Sequence, residues 1–236
     1  MKIIYEGWEL EHFNKANNFR NYQLEIFSKY IKGSVAEIGP GSDYINIKKR
    51  YSDKRIKNIE LFEPSLTLFS QLKKKIKKKK FKIFNKEFKK KTKKYDTILY
   101  LDVLEHIKKD KSEVEKALSC LKDNGFLIIN VPAYQFLYSK FDESVGHWKR
   151  YKKKDFQKIL INKKNINVMM FYYDSLGFIL SLLSKIFKIS HITNFNKKIF
   201  LWDFLIPISK LIDIITFNSF GKSLICIIRK KRITRR

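Results

Sequence analysis

Two acids and two glycines carry the first chemistry legible in this sequence. In "VAEIGPGSDY", residues 35 to 44, an apolar, β-branched run holds Glu37 and then breaks at Gly39 and Gly41. Glycines so placed let backbone approach a ligand that a Cβ would hold off. A phosphate loop is excluded, because no Lys follows Gly41 at the G-x-x-x-x-G-K-[ST] spacing. A dinucleotide fingerprint is disfavoured as well. Tyr44 stands where a small residue must let a pyrophosphate come close. The carboxylate of Glu37 repels phosphate and attracts a cation or hydroxyls. Glu63, in "LFEPS", lies about 22 residues beyond Gly41, near the ~20-residue offset at which an acid meets ribose hydroxyls in doubly wound folds. Its paired lone pairs can accept both the 2′ and 3′ O–H groups.

These features suit a nucleoside without phosphates that carries a positive end. S-adenosylmethionine, with its sulfonium and α-amino group, is such a ligand. No Cys/His spacing suggests a metal, and none is expected. His12 and His191 show no partner pattern.

The elements that must position these residues alternate along the chain. Apolar runs at 35–39, 56–63, 81–85, 97–103 and 125–132 predict short buried strands of a parallel sheet covered on both faces. Helical stripes lie between them: Phe19, Tyr22, Ile26 and Tyr30; Leu66, Phe69, Leu72 and Ile76; Val114, Ala117, Leu118 and Leu121. Such alternation implies βαβ units and an α/β, doubly wound, Rossmann-like fold. The run "KKKIKKKK" (73–80) reads as a solvated last helical turn, with a phosphate- or lipid-binding patch as the other reading. After Pro132 comes a long aperiodic stretch, 133–156, at the carboxyl end of a strand, where loops tend to carry function. A helix over 154–161, a strand over 166–174, two amphipathic helices within 175–215 and a last strand over 223–229 complete the expectation. The chain then reads as one domain: an N-terminal helical segment (1–34), a cofactor-binding core (35–174), a helical insertion or lid (175–222), and a last strand with basic tail (223–236).

The bulk composition narrows the partners without choosing among them. The 236 residues, 44% hydrophobic and 15% aromatic, are enough for one α/β domain with a sizeable core. A formal charge of +28 biases the chain toward polyanions, although a Lys-rich codon bias accounts for it equally well. Cys120 and Cys226 sit far apart in apolar segments, as expected of reduced, buried thiols in a cytoplasmic protein. No secretory signal is expected from "MKIIYEGWELEHFN", and the apolar stretch 175–184 is shorter than the ~20 residues a bilayer needs.

The strings "VAEIGPGSD", "IELFEPS", "YDTILYLDVLEHI" and "LKDNGFLIINVPA" resemble, in order and spacing, the motif set of class I S-adenosylmethionine-dependent methyltransferases. The resemblance covers roughly residues 19–175, and "FLYSKFDESVGHWKRY" (136–151) is similar to a bacterial subgroup found with polysaccharide or glycolipid biosynthesis. It implies Glu37 near the methionine amino group, with Gly39, Gly41 and Ser42 beneath the cofactor. Glu63 would hold the ribose, Phe62 or Pro64 would flank the adenine, and the stretch Asn85–Phe88, with Glu87 and Phe88, would lie at its edge. Asp102, with Val103, Glu105 and His106 beside it, would face the methyl-transfer point. Ser42, Asp43 and Tyr44 depart from the family's usual small residues.

Methyl transfer is an in-line displacement at an activated carbon, so the protein chiefly orients the two partners and removes a proton where needed. His147 is expected as the base, with Asp102, Asp142 and His106 in reserve. Tyr138, Asp142, His147, Arg150 and Tyr151 are expected on the acceptor side. The expected acceptor is a small-molecule or lipid-linked glycan, methylated on oxygen at the cytoplasmic face of an anionic membrane, with the 175–215 helices as core, lid or membrane contact. An RNA methyltransferase is disfavoured, because residues 102–105 read "DVLE" where exocyclic-amine methylases carry [ND]-P-P-[YF]. The third reading is a non-catalytic, basic membrane-binding module.

Overall fold

A computed structural model describes residues 7, 9–90, 92–188 and 194–232; His191 lies outside the described residues. In chain order the helices are α1 (Leu10–Phe13), α2 (Asn17–Phe27), α3 (Tyr44–Arg50), α4 (Leu66–Lys75), α5 (Asp110–Ser119), α6 (Lys140–Ser144), α7 (Lys153–Leu160), α8 (Ser175–Ile186) and α9 (Phe195–Ile215). The strands are β1 (Gly33–Ile38), β2 (Ile56–Phe62), β3 (Phe81–Phe84), β4 (Tyr95–Leu101), β5 (Leu121–Pro132), β6 (Ile166–Tyr173) and β7 (Ser223–Lys230). They form a seven-stranded sheet in the order β3-β2-β1-β4-β5-β7-β6. β1 to β5 pair in parallel, and β7 runs antiparallel between β5 and β6.

Side chains alternate across the sheet into two cores, as the period of a strand demands. In β4, Ile98 and Tyr100 enter one core and Leu99 and Leu101 the other. Cys120 and Cys226 are buried free thiols. The strand order reverses between β1 and β4. A doubly wound sheet opens a crevice at such a switch point, beyond the carboxyl ends of its strands.

Local chemistry sets the helix starts. Asp43 and Ser65 accept from backbone N–H groups in the first turns of α3 and α4. Only Lys73, Lys74 and Lys75 of the long lysine run occupy the last turn of α4; Ile76 is buried in extended backbone and Lys77–Lys79 are exposed beyond it. The first turn of α2 has no cap of its own, and the chain supplies one from afar. Asp203 of α9 accepts from the Asn18 and Phe19 N–H groups at 3.3 and 2.9 Å. Pro207 removes the N–H that would reach the Asp203 carbonyl, and Asn18 Nδ2 donates to that carbonyl at 3.1 Å.

Two buried carboxylates tie α8 and α9 to the sheet edge. Asp213 accepts from Tyr22 Oη and the Asp174 and Ser175 N–H groups at 2.7, 2.7 and 2.8 Å. Asp174 caps α8 through the Gly177 N–H at 2.9 Å and accepts from Trp202 Nε1 at 2.8 Å. The stretch 133–156, expected to be aperiodic, is pinned across 132–151: Tyr134 N–H donates to the Tyr151 carbonyl and Tyr151 N–H to the Pro132 carbonyl, each at 2.9 Å. Within it, α6 starts with a capping box between Ser139 and Asp142.

Candidate active site

The crevice at the switch point holds a cavity of about 600 Å³. Its floor is the glycine turn after β1. Gly39 has φ +59°, and a Cβ there would meet Val103 Cγ2 at 2.8 Å. Gly41 has φ +65°, so both positions lie in the left-handed region that favours glycine. The Glu63 carboxylate accepts from the Gly41 N–H at 3.0 Å and the Ser65 N–H at 2.9 Å, which closes the turn onto the end of β2. Burial, the larger influence, raises the pKa of Glu63 while those two N–H groups oppose it.

Glu37 lines the cavity, but its charge is already met. Arg50 donates to one carboxylate oxygen, and Tyr51 Oη to the other at 2.6 Å. Sequence reading did not foresee this pair, since nothing local marks Arg50 or Tyr51 as partners of a strand residue. Ser42, Phe62, Pro64, Glu87, Phe88, Asp102, Val103 and His106 also line the cavity. Asn85 does not; its Nδ2 donates to the Glu63 and Pro64 carbonyls at 3.0 and 3.1 Å and so braces their turn. Asp102, at φ +56°, accepts from Asn130 Nδ2 at 2.6 Å and stands 3.5 Å from Arg20 Nη1.

A second cavity, about 390 Å³, adjoins the first and shares Leu10, Arg20, Asp102, His106 and Val145 with it. Apolar side chains of α8 and α9, including Leu180, Ile199 and Trp202, wall it. Its polar lining gathers Glu105, His106, His147, Arg150 and Lys222. Rings of His106 and His147 meet edge-on with centroids 4.7 Å apart, and His147 Nε2 is 3.9 Å from Glu105 Oε1. On its other side, His147 Nδ1 is 2.9 Å from Asp142 Oδ1. Asp142 is fully buried and also accepts from Arg150 Nε and Nη2 at 2.8 and 2.9 Å and from Ser139 Oγ at 3.0 Å. Burial alone would raise the Asp142 pKa; hydrogen bonds from His147 and Arg150 outweigh it and hold the carboxyl below its usual range. His106 is pushed down to about 4 by burial and then by His147. Glu105 is held well above the usual range, by burial first and then by Asp102.

Of the residues expected on the acceptor side, His147 and Arg150 line the second cavity. Asp142 does not reach it: every contact above turns it toward His147, Arg150 and Ser139, which makes it a positioning residue. Tyr138 lies outside both cavities and donates to the His147 carbonyl at 2.7 Å. Tyr151 belongs to the core instead, stacked on Phe156 with its hydroxyl 3.1 Å from Asp110 Oδ2. An aromatic at the strand-side end of this loop is drawn inward because burying its ring outweighs exposing it. Arg20 and Lys222 were missed; a lone Arg between Phe19 and Tyr22 and a Lys beside Gly221 carry no local signal.

The sheet order, the glycine turn after β1 and the acid that follows β2 define a class I S-adenosylmethionine-dependent methyltransferase. The comparison with protein families agrees: a methyltransferase domain matches residues 8–173, and the chain belongs to that family. S-adenosylmethionine is its cofactor. No curated protein matches the chain. Among solved structures it is similar to a chain of the complex between the Haloferax volcanii Trm112 methyltransferase activator and a methyltransferase (TM-score 0.65, 11% identity, 97% of this chain and 98% of that one). It is also similar to Haemonchus contortus phosphoethanolamine N-methyltransferase 2 with S-adenosyl-L-methionine (TM-score 0.63, 13% identity, 98% of this chain and 60% of that one). A third is the plantazolicin methyltransferase BpumL with a triazolic desmethylPZN analogue and SAH (TM-score 0.57, 15% identity, 96% and 87%).

Proposed function

We propose that this chain methylates a hydroxyl of a small or lipid-linked glycan-type acceptor at the cytoplasmic face of an anionic membrane. The observation that carries this reading is the second cavity. It opens onto the cofactor cavity at Asp102 and His106, and it sets an apolar wall against a polar centre. A sugar hydroxyl suits the centre of Glu105, His106 and His147, and a lipid portion suits the wall. In the reaction the C–S bond of the sulfonium breaks, the acceptor oxygen gains the methyl group, and its proton leaves at that centre.

The whole chain works as one methyltransferase domain, with 175–222 serving as the acceptor wall. The outer side of that wall supports the membrane location. Phe200, Phe204, Ile208, Leu211 and Ile215 of α9 are exposed on a chain of net charge +28. Among the described residues no helix is long and apolar enough to cross a membrane, so contact would be interfacial. Two of the named neighbours are, by name, a phosphoethanolamine N-methyltransferase and a plantazolicin methyltransferase, and that difference leaves the acceptor to be argued from the cavity.

The test is transfer of labelled methyl from S-adenosylmethionine to a panel of lipid-linked glycans, sugar nucleotides and RNA. Labelled glycan is the expected result. Labelled RNA with unlabelled glycans would replace this reading with the nucleic-acid one.

A further inference from the structure

Glu105 is 1% exposed, and its Oε2 has no hydrogen-bond partner among the described residues. A buried carboxylate oxygen left so is costly and calls for a ligand. Two imidazoles stand beside it: one donor atom each from Glu105, His106 and His147 lies within 4.8 Å of the others. Each imidazole is also held from behind. Asp142 engages His147 Nδ1 at 2.9 Å, and the backbone of Gly146 hydrogen-bonds the His106 ring. A carboxylate or carbonyl behind each histidine is the arrangement that orients imidazoles toward a metal. Arg20, Arg150 and Lys222 line the same cavity, and bidentate pairing with Asp142 offsets the charge of Arg150.

We propose that Glu105, His106 and His147 bind a first-row divalent transition-metal cation in the wall of the acceptor cavity. Two nitrogens and one carboxylate oxygen favour such a cation over Mg²⁺ or Ca²⁺, which take oxygen ligands. Ligands at about 2.0–2.2 Å from a metal stand roughly 3–3.5 Å apart, so side-chain shifts on the order of 1 Å close the site. All three side chains line the acceptor cavity, so a cation they held would be within reach of an acceptor there. An acceptor oxygen bound there loses its proton to solvent more readily, and His147 acts as a ligand in place of the bare base. This catalytic use rests on the proposed acceptor reading; the binding does not.

Binding is therefore tested first without acceptor. The full chain, stripped with a chelator, is titrated with Co²⁺ and followed by visible absorption. The expected result is a d–d band that saturates at one cation per chain. Asp142→Asn should weaken binding about 10–100-fold while keeping the band. Glu105→Gln and His147→Ala should each abolish it, with circular dichroism showing which variant retains the fold. No band from the folded wild type, or a band that survives in a folded ligand variant, overturns the site. With an acceptor in hand, chelator should abolish turnover and Co²⁺ or Mn²⁺ restore it. Full turnover in chelator overturns the cation's part and returns the proton to His147.

Discussion

The carboxylate of Glu63 accepts from the N–H of Gly41 at 3.0 Å, so the acid expected to meet the ribose also closes the glycine turn. Cofactor binding and turn geometry are thereby coupled through one side chain. Glu63→Gln keeps the shape but leaves one acceptor oxygen where two were used. A charge-assisted hydrogen bond contributes about 1.5–3 kcal/mol, so S-adenosylmethionine affinity should fall about 10–100-fold by calorimetry.

The raised pKa of Glu63 gives that affinity a pH signature. If Glu63 holds the ribose as expected, only its ionised form can accept both hydroxyls, so binding should weaken on acidification at pH values where an ordinary glutamate, near 4.3, is still ionised. The stability effect has the opposite sign. A group whose folded pKa is raised contributes stability below its unfolded pKa and loses it as pH rises through the folded one. Calorimetric affinity should therefore drop with acid in a range where this residue does not weaken the fold. An affinity flat down to pH 4.3 would contradict the assignment.

Gly39→Ala should damage the same turn in two separable ways. Its φ of +59° costs an L-residue about 1–2 kcal/mol, and the new Cβ meets Val103 Cγ2 at 2.8 Å. Adding Val103→Ala relieves the contact but not the dihedral. In a double-mutant cycle read by thermal unfolding, the pair should recover part of the loss; strict additivity would show that the contact is immaterial.

Asp213→Ala should loosen the wall of the acceptor cavity. It removes the carboxylate that accepts from the Tyr22 hydroxyl and from the Asp174 and Ser175 N–H groups, all buried. Each buried donor left without its acceptor costs about 1–3 kcal/mol, so Tm should fall by roughly 10 °C. A loss under about 1 kcal/mol would show that α8 and α9 sit on the sheet without needing this anchor.

Phe204→Ser with Leu211→Ser should leave Tm within a few degrees, because both side chains are exposed. Cosedimentation with phosphatidylglycerol vesicles should fall at least about tenfold if α9 lies in the interface. Unchanged vesicle binding with a lost dimer in sedimentation would assign the face to a second copy of the chain.

What could be read from the sequence was what adjacent residues decide. The strand-and-helix alternation followed from hydrophobic period, and the turn at Gly39 and Gly41 from the absence of Cβ atoms. Glu63 followed from its distance along the chain to that turn. The order of these motifs was enough to place the chain among S-adenosylmethionine-dependent methyltransferases. Only tertiary structure could pair Glu37 with Arg50 and Tyr51, sink Tyr151 into the core, or aim Arg20 at Asp102. It also brought His147 to Glu105 and His106 across a loop whose own spacing shows no ligand pattern. Sequence period reports which face of an element is apolar; which polar groups then meet depends on how the buried faces pack, and that is decided by all the elements at once.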